Sequence, residues 1–207
     1  MQRPKAKRFI FLGGLPCLDF VNTAPDGGRA EALTDFEDLL AWFSETRLIS
    51  RPQLSEAGRR WSGRPQAQRA HRKALIFRKC LREMLEQMLG GRSVSKAAIT
   101  AINELLGQRR GHPEIIRTKG ALVQKYRWRL DVPCQLLALI AESAVDLLCN
   151  RELSRLKRCA NPACGFFFYE IARNRRRRWC SMKTCGNRMK SVAFRRRQRV
   201  ARRRAVS

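Results

Sequence analysis

Four cysteines stand in two close pairs near the end of the chain, in "CANPACGFFFYEIARNRRRRWCSMKTCGNR". Four residues separate Cys159 from Cys164, 15 follow, and four again separate Cys180 from Cys185. A thiolate is a soft metal ligand. Two such pairs joined by a hairpin-length segment can bring four sulfurs to the corners of a tetrahedron, a geometry Zn²⁺ accepts readily. Two residues within each pair is the commoner ribbon spacing, and four lies within the broader range of zinc knuckles. Pro162, Gly165 and Gly186 suit turns at the knuckles. A site closed by four protein ligands has no open position for water, so the one expected ion is structural rather than catalytic. The other cysteines, Cys17, Cys80, Cys134 and Cys149, sit singly among apolar neighbours and read as core thiols.

Five of the six residues from Arg173 to Arg178 are arginine. Four thiolates on one dication leave two formal negative charges, and nearby guanidinium groups favour thiolate over thiol and hence metal binding at neutral pH. A hairpin of "GFFFYE" paired with "RRRRWC" across "IARN" is expected to hold Arg173, Arg175, Arg176, Arg177 and Arg178 in a rigid array. Phe167, Tyr169 and Trp179 would pack it. After Cys185, "GNRMKSVAFRRRQRVARRR" reads as a basic helix with Met189, Val192, Ala193 and Val200 as a thin apolar stripe. Arg188, Lys190, Arg195 and Arg199 on it join the candidate nucleic-acid contacts, with Arg202 continuing the basic face. Beyond Arg197 an equal alternative is a solvated tail that orders only on a polyanion.

The formal net charge is +27 over 207 residues. Residues 151–207 carry 19 basic and two acidic side chains, so the last quarter of the chain holds most of the excess. Self-repulsion on this scale disfavours a compact fold, and a polyanion relieves it: nucleic acid first, an anionic membrane surface second. Arginine far outnumbers lysine there, and its planar fork matches phosphate and guanine edges. The start imitates a secretory leader, but Gly13, Gly14, Pro16 and Asp19 interrupt the apolar stretch and no cleavage site follows. No uncharged apolar run approaches the ~20 residues that span a bilayer. The expectation is a cytoplasmic, nucleoid-associated protein without a membrane partner.

The elements that must position the cysteines are mostly helical. Phe9–Leu12 reads as a short strand before a Gly-Gly turn. Thr34 to Glu37 has the capping-box pattern, and Phe36, Leu39, Leu40 and Phe43 follow on one helical face. A short helix is expected over 53–61 and a long one over 66–89, where Ala70, Ala74, Phe77, Leu81, Met84 and Met88 form a stripe and Gly90-Gly91 ends it. A further helix runs from Ser95 to Gly107. Residues 115–117 and 121–128 suggest a hairpin around "TKG". The last helix begins at Pro133 and is expected to reach about Leu156, delivering the chain to Cys159. The fold class is therefore mainly α with a small β element: a helical domain over 1–155, then a four-cysteine zinc module of β-hairpin and basic helix over 156–207.

These residues carry a family resemblance. "RCANPACGFFFYEIARNRRRRWCSMKTCGNRMK" resembles the CGNR zinc finger, named for residues that stand here as Cys185-Gly186-Asn187-Arg188. "RRWCS" and Arg173-Asn174 fit the same pattern. "GGLPCLDFVNT" (Gly13 to Thr23) resembles the start of the ABATE domain, which precedes this finger in bacterial stress-induced transcription regulators. The resemblance implies zinc at Cys159, Cys164, Cys180 and Cys185 and nucleic-acid binding by the finger. The chain departs from the family at two places. Glu170-Ile171-Ala172 replaces the usual Asp-x-Ser before Arg-Asn, losing a hydroxyl that could brace the turn. Arg175 stands where Gly is frequent, adding charge at its tip.

The leading reading is a zinc-dependent regulator that binds duplex DNA, with a helical domain that dimerises, senses a small molecule or contacts another protein. Asp19, Asn22 and Thr23 form a polar cluster in an apolar segment, readable as a ligand site or as a satisfied turn or cap. The alternative is an RNA- or ribosome-binding finger, with Phe166–Tyr169 stacking on unpaired bases or packing the finger's own core. An enzyme is not expected. His71 and His112 lie far apart, Glu142 and Asp146 resemble any solvated carboxylate pair, and no nucleophile or phosphate-loop motif is present.

Overall fold

Ala70, Ala74, Phe77, Leu81 and Met84 share one stripe of a 25-residue helix (α4, Pro65–Leu89), and all five are buried. The structure, a computed structural model, describes residues 9–24 and 29–204, with side chains through residue 198. Around α4 the helical unit, residues 31–151, adds α2 (Phe36–Thr46), α3 (Arg51–Trp61), α5 (Lys96–Leu106) and α6 (Leu136–Asn150). The Asp35 carboxylate caps α2 by accepting from the Asp38 N–H at 2.7 Å, which satisfies a free N-terminal donor. Ser95 caps α5 in the same way. Leu136, Leu137, Ile140, Ala144 and Leu147 of α6 are fully buried. The stretch Pro133–Asn150 is apolar enough to pass for a membrane span, yet more than half of it is buried inside the protein, as a core helix is.

The expected hairpin is longer than its apolar residues suggested. β1 (Gly111–Thr118) pairs antiparallel with β2 (Ala121–Trp128) along its full length. Lys119 (φ 49°) and Gly120 (φ 85°) make a two-residue turn with both central φ angles positive, which matches the twist of the flanking strands.

The second unit joins residues 9–24 and 29–30 to residues 152–204. It contains α1 (Pro16–Val21), β3 (Leu156–Arg158), β4 (Phe167–Tyr169) and α7 (Asn187–Arg204). By contacts, the described N-terminal residues thus group with the C-terminal ones. The N-terminal segment folds with the cysteines because α1 and its flanks hydrogen-bond to β4, as described below.

Three local expectations are corrected. Phe9–Leu12 forms no strand. The last helix ends at Asn150, where Arg151 turns extended and pairs with Asp146 at 2.9 Å; a 3₁₀ turn (Leu153–Arg155) and β3 then lead to Cys159. The spacing of Leu153 and Leu156 suits a helix, but Leu153 is exposed and Leu156 belongs to the core of the second unit. Finally, β4 pairs with β3, in register Leu156↔Tyr169, and not with the arginine run. Residues 172–178 form a turn and irregular loop.

Candidate metal centre and nucleic-acid surface

The four sulfurs of Cys159, Cys164, Cys180 and Cys185 lie within 4.8 Å of one another, and all four residues are buried. The β3–β4 pair sets the first knuckle: Cys159 N donates to Phe166 O at 2.8 Å, so the chain leaves one strand and re-enters the other around Cys164. Within that turn the Asn161 carboxamide accepts from Ala163 N at 3.2 Å and donates to Cys185 Sγ at 3.3 Å, tying the knuckles together. The second knuckle is a π-helical turn, Met182–Gly186, continuous with α7. Gly186 lets Met182 lie close, since a Cβ there would stand 2.4 Å from Met182 Sδ and displace that side chain.

The Sγ separations fit a zinc ion. Cys164 to Cys180 is 3.6 Å and Cys180 to Cys185 is 3.7 Å. A tetrahedron with Zn–S of about 2.3 Å has edges near 3.8 Å, whereas a disulfide needs about 2.05 Å. The thiols stand close enough to share protons. The Cys180 thiol donates to Cys164 and pulls that group down to about 5, while Cys180 itself is driven far up by the same bond and by burial. Burial also raises Cys159. With zinc bound all four are thiolates, and the Cys180 N–H, 3.4 Å from Cys159 Sγ, and the Asn161 amide stabilise two of them.

A family model described as "Putative stress-induced transcription regulator" (ABATE) matches residues 14–151, and the CGNR zinc finger model matches residues 155–198. The chain belongs to the ABATE family. It carries a CGNR zinc finger behind that domain, with one structural zinc ion at the four cysteines. Both descriptions are of a regulator and a metal-binding module rather than of an enzyme. A search of curated proteins found no match.

In the CGNR finger the arginine run is held by side chains instead of a β ladder. Lys157 Nζ donates to the Arg175 and Arg177 carbonyls, and the Glu170 carboxylate accepts from Ala172 N and Arg177 N, each at 2.8 Å. Burial alone would raise Glu170, but these N–H groups and the Lys157 and Arg177 charges outweigh it and hold the carboxyl below its usual range. Glu170 therefore braces the turn where the family's hydroxyl is missing. Arg175 adopts φ 51°, the left-handed region, which accounts for the frequent Gly there.

The candidate arginines separate into two groups. Arg175 pairs with Glu152 at 2.7 Å. Arg177 is half-buried and engaged: its guanidinium donates to the carbonyls of Trp179, Cys180 and Leu12 and lies 4.3 Å over the Phe168 ring. Among the described residues, Arg173, Arg176, Arg188, Lys190 and Arg195 have no hydrogen-bonded or ion-paired side-chain partner, and Arg178 touches only the Trp179 ring. The Arg199 side chain lies outside the described residues. Arg29, absent from the sequence reading, stacks 3.9 Å over Phe166 and donates to Cys164 O at 3.4 Å. With Arg188 it lines a cleft of about 270 Å³ beside Cys164, Cys180 and Cys185. No spacing rule links residue 29 to the finger, so nothing in the sequence marked it.

Asp19, Asn22 and Thr23 are buried and engaged with backbone. Asp19 Oδ1 accepts from Gly13 N at 2.7 Å, Asn22 bonds both backbone groups of Phe167, and Thr23 Oγ1 donates to Phe20 O at 2.6 Å. Burial pushes the Asp19 carboxyl up to about 6 against hydrogen bonds from Gly13 and Leu12. Phe166, Phe167, Phe168 and Tyr169 are likewise buried, so their rings offer no exposed platform for unpaired bases.

Proposed function

We propose that the protein is a transcription regulator that binds duplex DNA through its zinc finger. The observation that carries this reading is the set of unpaired cations on a rigid support. Arg173, Arg176 and Arg178 project from a loop whose backbone is fixed by Glu170 and Lys157, and exposed Arg188, Lys190 and Arg195 follow on α7. Cations held on a scaffold lose less freedom on binding phosphate or base edges than cations on a tail. A basic helix of this kind is of a size for the major groove. Burial of the aromatic run favours a duplex over unpaired RNA as the partner.

Such a regulator acts in the cytoplasm at the nucleoid. A small-molecule effector has room in the helical unit, where Trp61, Trp128, Pro52 and Ala57 line a cleft of about 550 Å³ ringed by Arg59, Arg60 and Arg127. The test of DNA binding is selection from random duplexes at ~0.15 M salt, which suppresses nonspecific phosphate binding. It is run with competing RNA and a zinc-stripped control. An enriched motif that disappears without zinc supports the reading; no motif, with the protein carried off by RNA, sinks it.

A further inference from the structure

The β1–β2 ribbon of the helical unit ends in a strongly exposed outer half. Ile115 is 75%, Leu122 65% and Val123 45% exposed. An isolated two-stranded hairpin is marginal in water, and here the base supplies the anchorage. Arg109 lies 4.0 Å over the Tyr126 ring and pairs with Glu142 at 2.7 Å, and Gln53 Nε2 donates to Trp128 O at 2.7 Å.

The outer half carries charge that nothing nearby neutralises. Glu114, the one acid on the two strands, is taken by Arg127 at 2.6 Å. Among the described residues, Lys119 and Lys125 have no ion-pair partner, and Arg117 donates only to Gly120 O at 3.4 Å. Cross-strand register puts Arg117 opposite Leu122 and Ile115 opposite Gln124, so these four side chains share one face. That face combines groups suited to base edges: an arginine for guanine, a glutamine for adenine and apolar side chains for the thymine methyl.

We propose that this ribbon is a second duplex-DNA contact, entering the major groove with Ile115, Arg117, Leu122 and Gln124 facing the bases and Lys119 and Lys125 on phosphates. The inference rests on the duplex-DNA reading above. A two-stranded ribbon of eight residue pairs is ~25 Å long, and the groove, about 12 Å wide, admits one. Charge selects this occupant over a second copy of the chain: two chains of net charge +27 that meet through cationic ribbons repel, whereas a polyanion is attracted.

The test uses the full-length, zinc-loaded protein and a random 30-bp duplex, with affinity followed by fluorescence anisotropy across a salt series. Each phosphate contact contributes about 0.9 to the slope of log affinity against log salt. The triple variant Arg117→Ala/Lys119→Ala/Lys125→Ala, which removes the two phosphate-contacting lysines and the base-facing arginine, is expected to lower that slope by about 2 without changing the melting temperature. A benzophenone side chain placed at Ile115 is expected to cross-link to the duplex. An unchanged slope and no cross-link, with Arg173→Ala/Arg176→Ala still weakening binding, overturns the ribbon and leaves the finger reading standing. A wild-type protein that binds no duplex removes both. Dissociation of a dimer by Ile115→Ser/Leu122→Ser, with an unchanged salt slope, assigns the face to a second copy and also overturns the proposal.

Discussion

Asn22 bonds both backbone groups of Phe167, 145 residues later in the chain: Nδ2 donates to the carbonyl at 2.8 Å and the N–H donates to Oδ1 at 2.9 Å. Two residues on, Tyr169 N donates to Gly13 O at 2.7 Å. β4 has β3 on one edge and, on the other, a carboxamide and a glycine carbonyl in place of a third strand. The N-terminal segment is thus part of the wall behind the first zinc knuckle. Asn22→Ala leaves a buried N–H and carbonyl unpaired, at about 1–3 kcal/mol each. Because metal binding and folding of such a unit are coupled, apparent zinc affinity is expected to fall by about 1.5 to 4 decades, at about 1.4 kcal/mol per decade. A chelator-competition titration reads this directly, and unchanged affinity would show that β4 does not depend on Asn22.

Arg177 and Arg173 are expected to behave oppositely despite their common residue type. Arg177→Ala removes donors to Leu12 O and Cys180 O from the knuckle and should lower zinc retention and melting temperature together. Arg177→Lys should not restore them, since one ammonium cannot reproduce the fork. Arg173→Ala should leave both intact and weaken binding to duplex DNA. Parallel melting, chelator and anisotropy measurements separate the two outcomes.

Arg175→Gly should be nearly neutral. It relieves a left-handed residue, a gain of about 1 kcal/mol, and loses a half-exposed pair with Glu152 worth about 0–1 kcal/mol. A denaturant titration showing a loss above about 2 kcal/mol would mean that the Arg175 side chain organises the loop.

Asp19 introduces a pH dependence. Its folded-state value of about 6 lies above the ordinary 3.8, so the folded protein holds this proton more tightly. The contribution is complete below the unfolded value and is lost as pH rises through 6. Asp19→Asn keeps an acceptor for the Gly13 N–H and carries no charge. In zinc-saturated protein it should be more stable than the parent at pH 7.5, on the order of 1–3 kcal/mol, and the gap should narrow towards pH 5. A gap that widens as pH falls would contradict the assignment.

Zinc removal should act on one unit. The helical unit has its own core of Trp42, Phe43, Leu81 and Leu137, whereas the cysteine cluster packs with Phe166 and Phe168. Chelation is expected to unfold the second unit while circular dichroism retains the signal of α2 to α6. Cooperative loss of the whole helical signal would show that the units depend on each other.

The zinc site was legible because ligand chemistry is local. Two Cys-x4-Cys pairs state their metal before any fold is known, and the 3.6-residue period of Phe36 to Phe43 and of Ala70 to Met84 states helices for the same reason. What the arginines do was not legible. Arg173 and Arg177 are the same residue four positions apart, and only the placing of Leu12, Phe168 and Cys180 around one of them engages its guanidinium within the unit. Nor could spacing show that Asn22 completes a strand edge at Phe167 or that Arg29 roofs Phe166, because partners so distant in sequence leave no period to read. The aromatic run also carried two local meanings, and burial chose between them. Residue type and spacing thus determined the metal, the helices and the excess of positive charge. Long-range hydrogen bonding and burial decided which cations stay unpaired.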